Sequence, residues 1–200
     1  MLHRAQSPSL SVDPATGLVA PARQCTSPNQ DLRPSGAVID LIVVHGISLP
    51  PGAFGGDHVR AFFCNQLDTT EHPYFASIAD LRVSAHALVH RDGALTQFVA
   101  FDRRAWHAGV SSHNGRERCN DFSVGIELEG CDDVPYASAQ YNTLAALIAA
   151  LRATYPTLAN ADVVGHSDIA PGRKTDPGAA FDWTQLDACL ALCAGGESSA

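Results

Sequence analysis

Two short β-branched runs, LIVV at 41–44 and DVVG at 162–165, each stop at a histidine, His45 and His166. Continuous apolar runs of this length suit strands covered on both faces, so the chain has to build layers around a central sheet. The remaining segments fit that demand. VSAHALVHRDGALTQFV reads as two strands joined at Asp92-Gly93, a strong hairpin signal, and FSVGIELEG as another strand. GDHVRAFFCNQL, from Gly56, reads as a helix. SAQYNTLAALIAALRATY puts Tyr141, Leu144, Ala145, Ile148 and Leu151 at helical spacing, with Ser138 as N-cap and Pro156 just past the end. FDWTQLDACLALC closes the chain as a helix, with Asp182 and Gln185 three apart as in a capping box. Strands and helices alternate irregularly around one hairpin, which predicts a single α/β domain of the α+β type, a central mixed β-sheet with helices packed on it. The expected boundaries are an irregular N-terminal arm over 1–36, the domain over 37–194 and a flexible tail over 195–200.

Composition narrows the function classes. The chain has 200 residues, 46% hydrophobic and 17% charged, enough for one core of ordinary size. Its longest apolar runs fall far short of the roughly 20 residues that span a bilayer. The opening MLHRAQSPSLSVDPATG lacks the apolar core of a secretory signal, which makes the cytoplasm the expected location and a membrane an unexpected partner. A net charge of −8, with 13 Lys and Arg spread along the chain, argues against binding nucleic acid. Six cysteines without CxxC spacing are expected to stay thiols, with Cys189 and Cys193 as packing residues on the last helix.

Chemistry-bearing side chains gather at the strand ends. His45, His166 and Asp176 are two imidazoles and a carboxylate, a common catalytic zinc set when a fourth position is left to water. Spacing alone does not decide this, because nine histidines make a strand-end pair easy to find and Asp176-Pro177-Gly178 is also a turn former. Strand alternation sends Glu127 and Glu129 to one face, either towards a cleft or into solvent. A carboxylate near an activated water is what a hydrolase needs as general base. Lys174, two residues before Asp176, is either a surface lysine or an oxyanion partner on the same pocket. Arg82 and Arg118 suit substrate carboxylates, and Trp106 with His107 suits a flat wall for a sugar or peptide; each also has an ordinary reading as a surface, rim or core residue.

Taken together, VVHGISLPPGAFGG, HPYFASIADLRVSAHALVHRDG, FDRRAWHAGVS, GRERCNDFSVGIELEG and GHSDIAPGRKTDPG with FDW resemble the zinc-dependent N-acetylmuramoyl-L-alanine amidases, most closely the branch that acts on 1,6-anhydro muropeptides in the cytoplasm. The resemblance implies one zinc ion per chain held by His45, His166 and Asp176, Glu127 as acid/base and Lys174 at the developing oxyanion. It further implies that Arg82 and Arg118 meet the peptide-stem carboxylates, that Trp106 and His107 border the sugar, and that a monomer takes small muropeptides in peptidoglycan recycling. Gly46 departs from the family pattern, which tends to asparagine after the first ligand. Three rival readings stay open at this point: an amidase or lysin acting on intact wall, a non-catalytic peptidoglycan-binding module, and a thiol amidase using Cys119 or Cys131.

Overall fold

The computed structural model describes residues 9–195. Six strands make the central sheet: β1 (Arg23–Gln24), β2 (Leu41–Ile47), β3 (Ala87–Val89), β4 (Leu95–Gln97), β5 (Ser123–Glu129) and β6 (Asp162–Gly165), in the spatial order β6-β2-β5-β3-β4-β1. The sheet is mixed. β6, β2, β5 and β3 run parallel, β3 and β4 form the antiparallel hairpin expected around Gly93, and β1 lies parallel to β4. Gly93 has φ +85, the left-handed conformation that glycine adopts without steric cost.

Alternation along the two long strands explains the layers. Ile42 and Val44 of β2 and Val124, Ile126 and Leu128 of β5 enter a cluster with Leu144, Leu147, Ile148 and Leu151 of α3 (Ser138–Thr154) and Leu186 of α5 (Trp183–Gly195). Leu41 and Val43 face the other way, where Ala108, Cys119, Phe122 and Ile169 cover them. A third cluster joins Leu88 and Phe98 to Val59, Phe62 and Phe63 of α1 (His58–Phe63) and to Phe75 of α2 (Pro73–Ser77). The helices therefore cover both faces of the sheet, as the apolar strands required.

Local details depart from the sequence reading in ways that have physical causes. The N-cap of α3 is Ala137, and it is the Gln140 side chain that accepts from the Ala137 N–H; Ser138 is already the first helical residue. Asp182 does cap α5, accepting from the Gln185 N–H at 2.9 Å. The arm is less irregular than its composition suggests. Ser11–Val12 pairs with Val19–Ala20, Val12 and Val19 join the α3 core, and β1 extends the sheet edge. Backbone pairing, which leaves no periodicity in two-residue strands, holds these pieces. α5 runs to Gly195, and the rest of the expected tail lies outside the described residues. Cys25, Cys64, Cys119, Cys131 and Cys189 are thiols, and Cys189 and Cys193 pack against the main core. Among the described residues no helix is long and apolar enough to cross a membrane.

Candidate active site and metal centre

Parallel pairing places His45 of β2 directly beside Glu127 of β5, so both side chains leave the same face of the sheet near its C-terminal edge. β6 pairs with the other side of β2 and ends at Gly165, which puts His166 at the first position of α4 (His166–Ile169). The turn that follows brings Asp176 back over both histidines, tied by the Ser167 N–H donating to the Asp176 carbonyl at 3.0 Å. Tyr136 holds the next residue, its hydroxyl donating to the Pro177 carbonyl at 2.9 Å.

The result is a tight group of donor atoms. His45 Nδ1 and His166 Nδ1 lie 3.0 Å apart, and each is 3.1 Å from Asp176 Oδ2. Both imidazoles are buried, and the carboxylate is half-buried. Burial lowers the His45 pKa to about 4 although the nearby Asp176 carboxylate favours the charged form, so this ring is neutral at pH 7. At His166, Nε2 lies 3.1 Å from the Ala108 carbonyl, which only accepts, so the neutral form of the ring carries its hydrogen on Nε2 and leaves a lone pair on Nδ1. A lone-pair nitrogen and a carboxylate oxygen aimed at one point are the arrangement that a cation relieves, and this trio can hold a metal ion. Arg173 strengthens the anchor, its guanidinium donating to the carbonyls of Ala108 and Val110 at 2.6 Å each.

Glu127 is the second unusual group. Its residue is 8% exposed, and Oε2 is a buried oxygen with no hydrogen-bond partner. Burial first, and the Asp176 charge second, raise its carboxyl well above the ordinary range, while Lys174 opposes them. Glu129, two residues on, is buried as well, but it accepts from the Gly55 and Arg91 backbone N–H groups and so anchors two loops. One strand thus carries a structural carboxylate and an unpaired one.

A cavity of about 950 Å³ opens over this group, lined by His45, His107, Glu127, His166, Lys174 and Asp176 among others. Lys174 is exposed at its edge. His107 is in the wall, but its nitrogens already meet His45 and Ser123. The structure does not bring Arg82, Trp106 or Arg118 to the lining. Arg82 donates to the carbonyls of Ala79 and Leu81, and Arg118 pairs with Asp121 at 3.0 Å. Ser123, Arg173 and Tyr136 were missed by sequence reasoning. Glycines inside strands mark close approaches, and Gly125 points in this way to His107, since a Cβ there would lie 2.3 Å from the ring. Gly46 has a similar local reason, since a Cβ at that position would meet the Tyr136 hydroxyl at 2.3 Å.

Comparison with known proteins identifies the family. The family model described as N-acetylmuramoyl-L-alanine amidase matches residues 35–179. The 1,6-anhydro-N-acetylmuramyl-L-alanine amidase AmpD of Citrobacter freundii is 58% identical over 174 residues, covering 87% of this chain and 92% of that protein. The crystal structure of a selenomethionine AmpD derivative superposes with a TM-score of 0.86 at 56% identity, covering 90% of this chain and 98% of that one. The amidase AmiD from E. coli, in complex with the substrate anhydro-N-acetylmuramic acid-L-Ala-D-gamma-Glu-L-Lys, gives 0.54 at 30% identity, covering 78% of this chain and 60% of that one. With the match spanning most of the chain and the strand-end donor group inside it, this chain belongs to the N-acetylmuramoyl-L-alanine amidase family.

Proposed function

We propose that this chain hydrolyses the amide between 1,6-anhydro-N-acetylmuramic acid and the L-alanine of small muropeptides, as a cytoplasmic enzyme of peptidoglycan recycling. The observation that carries the reading is the unpaired, buried Glu127 Oε2 in the same cavity as three converging donors. The names of the relatives support the substrate class. The donor chemistry supports zinc: separations of 3.0–3.1 Å are close to the edge of about 3.3 Å expected for a tetrahedron with bonds of about 2.0–2.1 Å.

His45, His166 and Asp176 would hold the ion, leaving one position open to the cavity. Zinc bound there supplies Lewis acidity, lowering the pKa of water from 15.7 to about 7 and polarising a carbonyl. Glu127 takes a proton from the attacking water on Oε2 and returns it to the departing alanine nitrogen. Its raised pKa suits both halves of that transfer, since a carboxylate with an ordinary pKa is a poor acid at neutral pH. Lys174 brings a positive charge to the carbonyl oxygen as negative charge develops there. A thiol mechanism has little support. Cys119 is fully buried with its pKa raised by burial, and although Cys131 borders the cavity its thiol is shifted upward too.

The test is mass spectrometry of products from 1,6-anhydro-N-acetylmuramyl tripeptide, with the protein as purified, after chelation and after zinc is restored. Free tripeptide and anhydro sugar should appear, vanish with chelation and return with zinc. Intact substrate in every arm, with turnover of polymeric wall instead, would hand the assignment to a wall-degrading amidase.

A further inference from the structure

We propose that His107 is a positioning residue for the metal centre: it locks His45 in the tautomer whose Nδ1 lone pair faces His166 and Asp176. The assignment rests on the metal-amidase reading above and adds a residue that neither touches the ion nor takes part in proton transfer. It follows from the direction of three hydrogen bonds. The Cys119 carbonyl can only accept, so the Ser123 hydroxyl, 2.6 Å away, donates to it. Ser123 Oγ then offers only lone pairs to the ring 3.1 Å away, and His107 Nε2 carries the hydrogen. A neutral imidazole protonated on Nε2 has a bare Nδ1. That atom is 2.8 Å from His45 Nε2 and accepts its hydrogen. His45 Nδ1 is left with its lone pair, as the Ala108 carbonyl leaves His166 Nδ1 with its own.

The relay is built into the core. Cys119 and Ser123 are fully buried and His107 is 8% exposed, which leaves water little room to offer a competing partner. Its seat is cut by Gly125, whose missing Cβ would sit 2.3 Å from His107 Cγ. Without the relay, His45 is free to put its hydrogen on Nδ1, and ion binding then has to move it. Loss of such a partner typically lowers metal affinity by about 10–100-fold.

The experiment compares full-length native protein with His107→Phe and His107→Gln. Phenylalanine keeps the ring volume without an acceptor. The glutamine carboxamide can accept from His45 Nε2 and donate to Ser123. Long-range proton–nitrogen NMR of the metal-free proteins reads the His45 tautomer, and competition against a chromophoric chelator reads zinc affinity. In native protein His45 should carry its hydrogen on Nε2. In His107→Phe it should populate both tautomers and bind zinc about 10–100-fold more weakly, with His107→Gln recovering most of the loss. A His107→Phe protein that keeps the Nε2–H tautomer and native zinc affinity would overturn the assignment, as would a glutamine variant no better than phenylalanine. If the phenylalanine variant does not fold, Ser123→Ala removes the acceptor from His107 Nε2 and is read in the same way. Native protein that binds no zinc would remove the metal reading, while the tautomer measurement still decides what His107 does.

Discussion

Glu127 shows how one residue's surroundings set its chemistry. A strand carboxylate next to Glu129 has nothing unusual in its sequence, yet one oxygen is buried without a partner while Glu129 is anchored by two N–H groups. Glu127→Gln should keep zinc and lose on the order of 10²–10⁴-fold in turnover, measured by product release under saturating substrate. The same change should stabilise the metal-free protein at neutral pH. A carboxyl whose folded pKa is raised binds its proton more tightly when folded, so its stabilising effect is present at low pH and lost as pH rises from the unfolded value of 4.5 through the folded one. Relief of that buried charge is worth about 1–3 kcal/mol, and urea melts at pH 4 and pH 8 should show the gain only at the higher pH. Lys174→Ala should reduce kcat by on the order of 10²-fold with KM little changed; a rise in KM at constant kcat would place its interaction in substrate binding instead.

At the scale of elements, β5 carries the site and the core on opposite faces. Val124, Ile126 and Leu128 pack under α3, while Ser123, Gly125, Glu127 and Glu129 alternate on the other side. Gly125 is tolerated inside this strand because the His107 ring occupies the volume of its side chain. Gly125→Ala should therefore cost about 1–3 kcal/mol in chemical denaturation, a larger loss than the small propensity gain alanine brings to a strand. A variant of native stability would mean that the ring moves aside freely. The elements themselves were legible in different degrees. The hairpin at Gly93 and the long α3 announce themselves through turn chemistry and a 3.6-residue period. Two-residue strands such as β1 carry no period at all, and α3 is capped at Ala137 through the Gln140 side chain, where a serine one residue later offered the stronger cap signal.

The whole molecule ties its N-terminal arm into that core. The Val19 N–H donates to Gln97 Oε1 at 2.8 Å, Gln97 Nε2 donates to the Gly17 carbonyl at 2.9 Å, and Val12 and Val19 are nearly fully buried. Removing residues 1–22 should lower stability by about 3–5 kcal/mol, the burial of two valines plus a broken polar pair, with the urea midpoint as the measure. An unchanged midpoint would show the arm to be a passive cover. What the sequence by itself determined was the set of layers and the ligand-type residues at the ends of β2 and β6, because apolar runs, turns and strand ends are local facts of covalent order. Only the tertiary structure decided which of them meet. The register of β5 on β2 set Glu127 beside His45, the Asp176 turn closed over two histidines 121 residues apart, and folding put His107 of the cavity wall in reach of both His45 and Ser123. Arg82 and Arg118 show the converse, since nearby carbonyls and Asp121 claim their charges at the surface. Pairing, burial and the direction of a hydrogen bond belong to atoms brought together by folding, and no spacing along the chain encodes them one residue at a time.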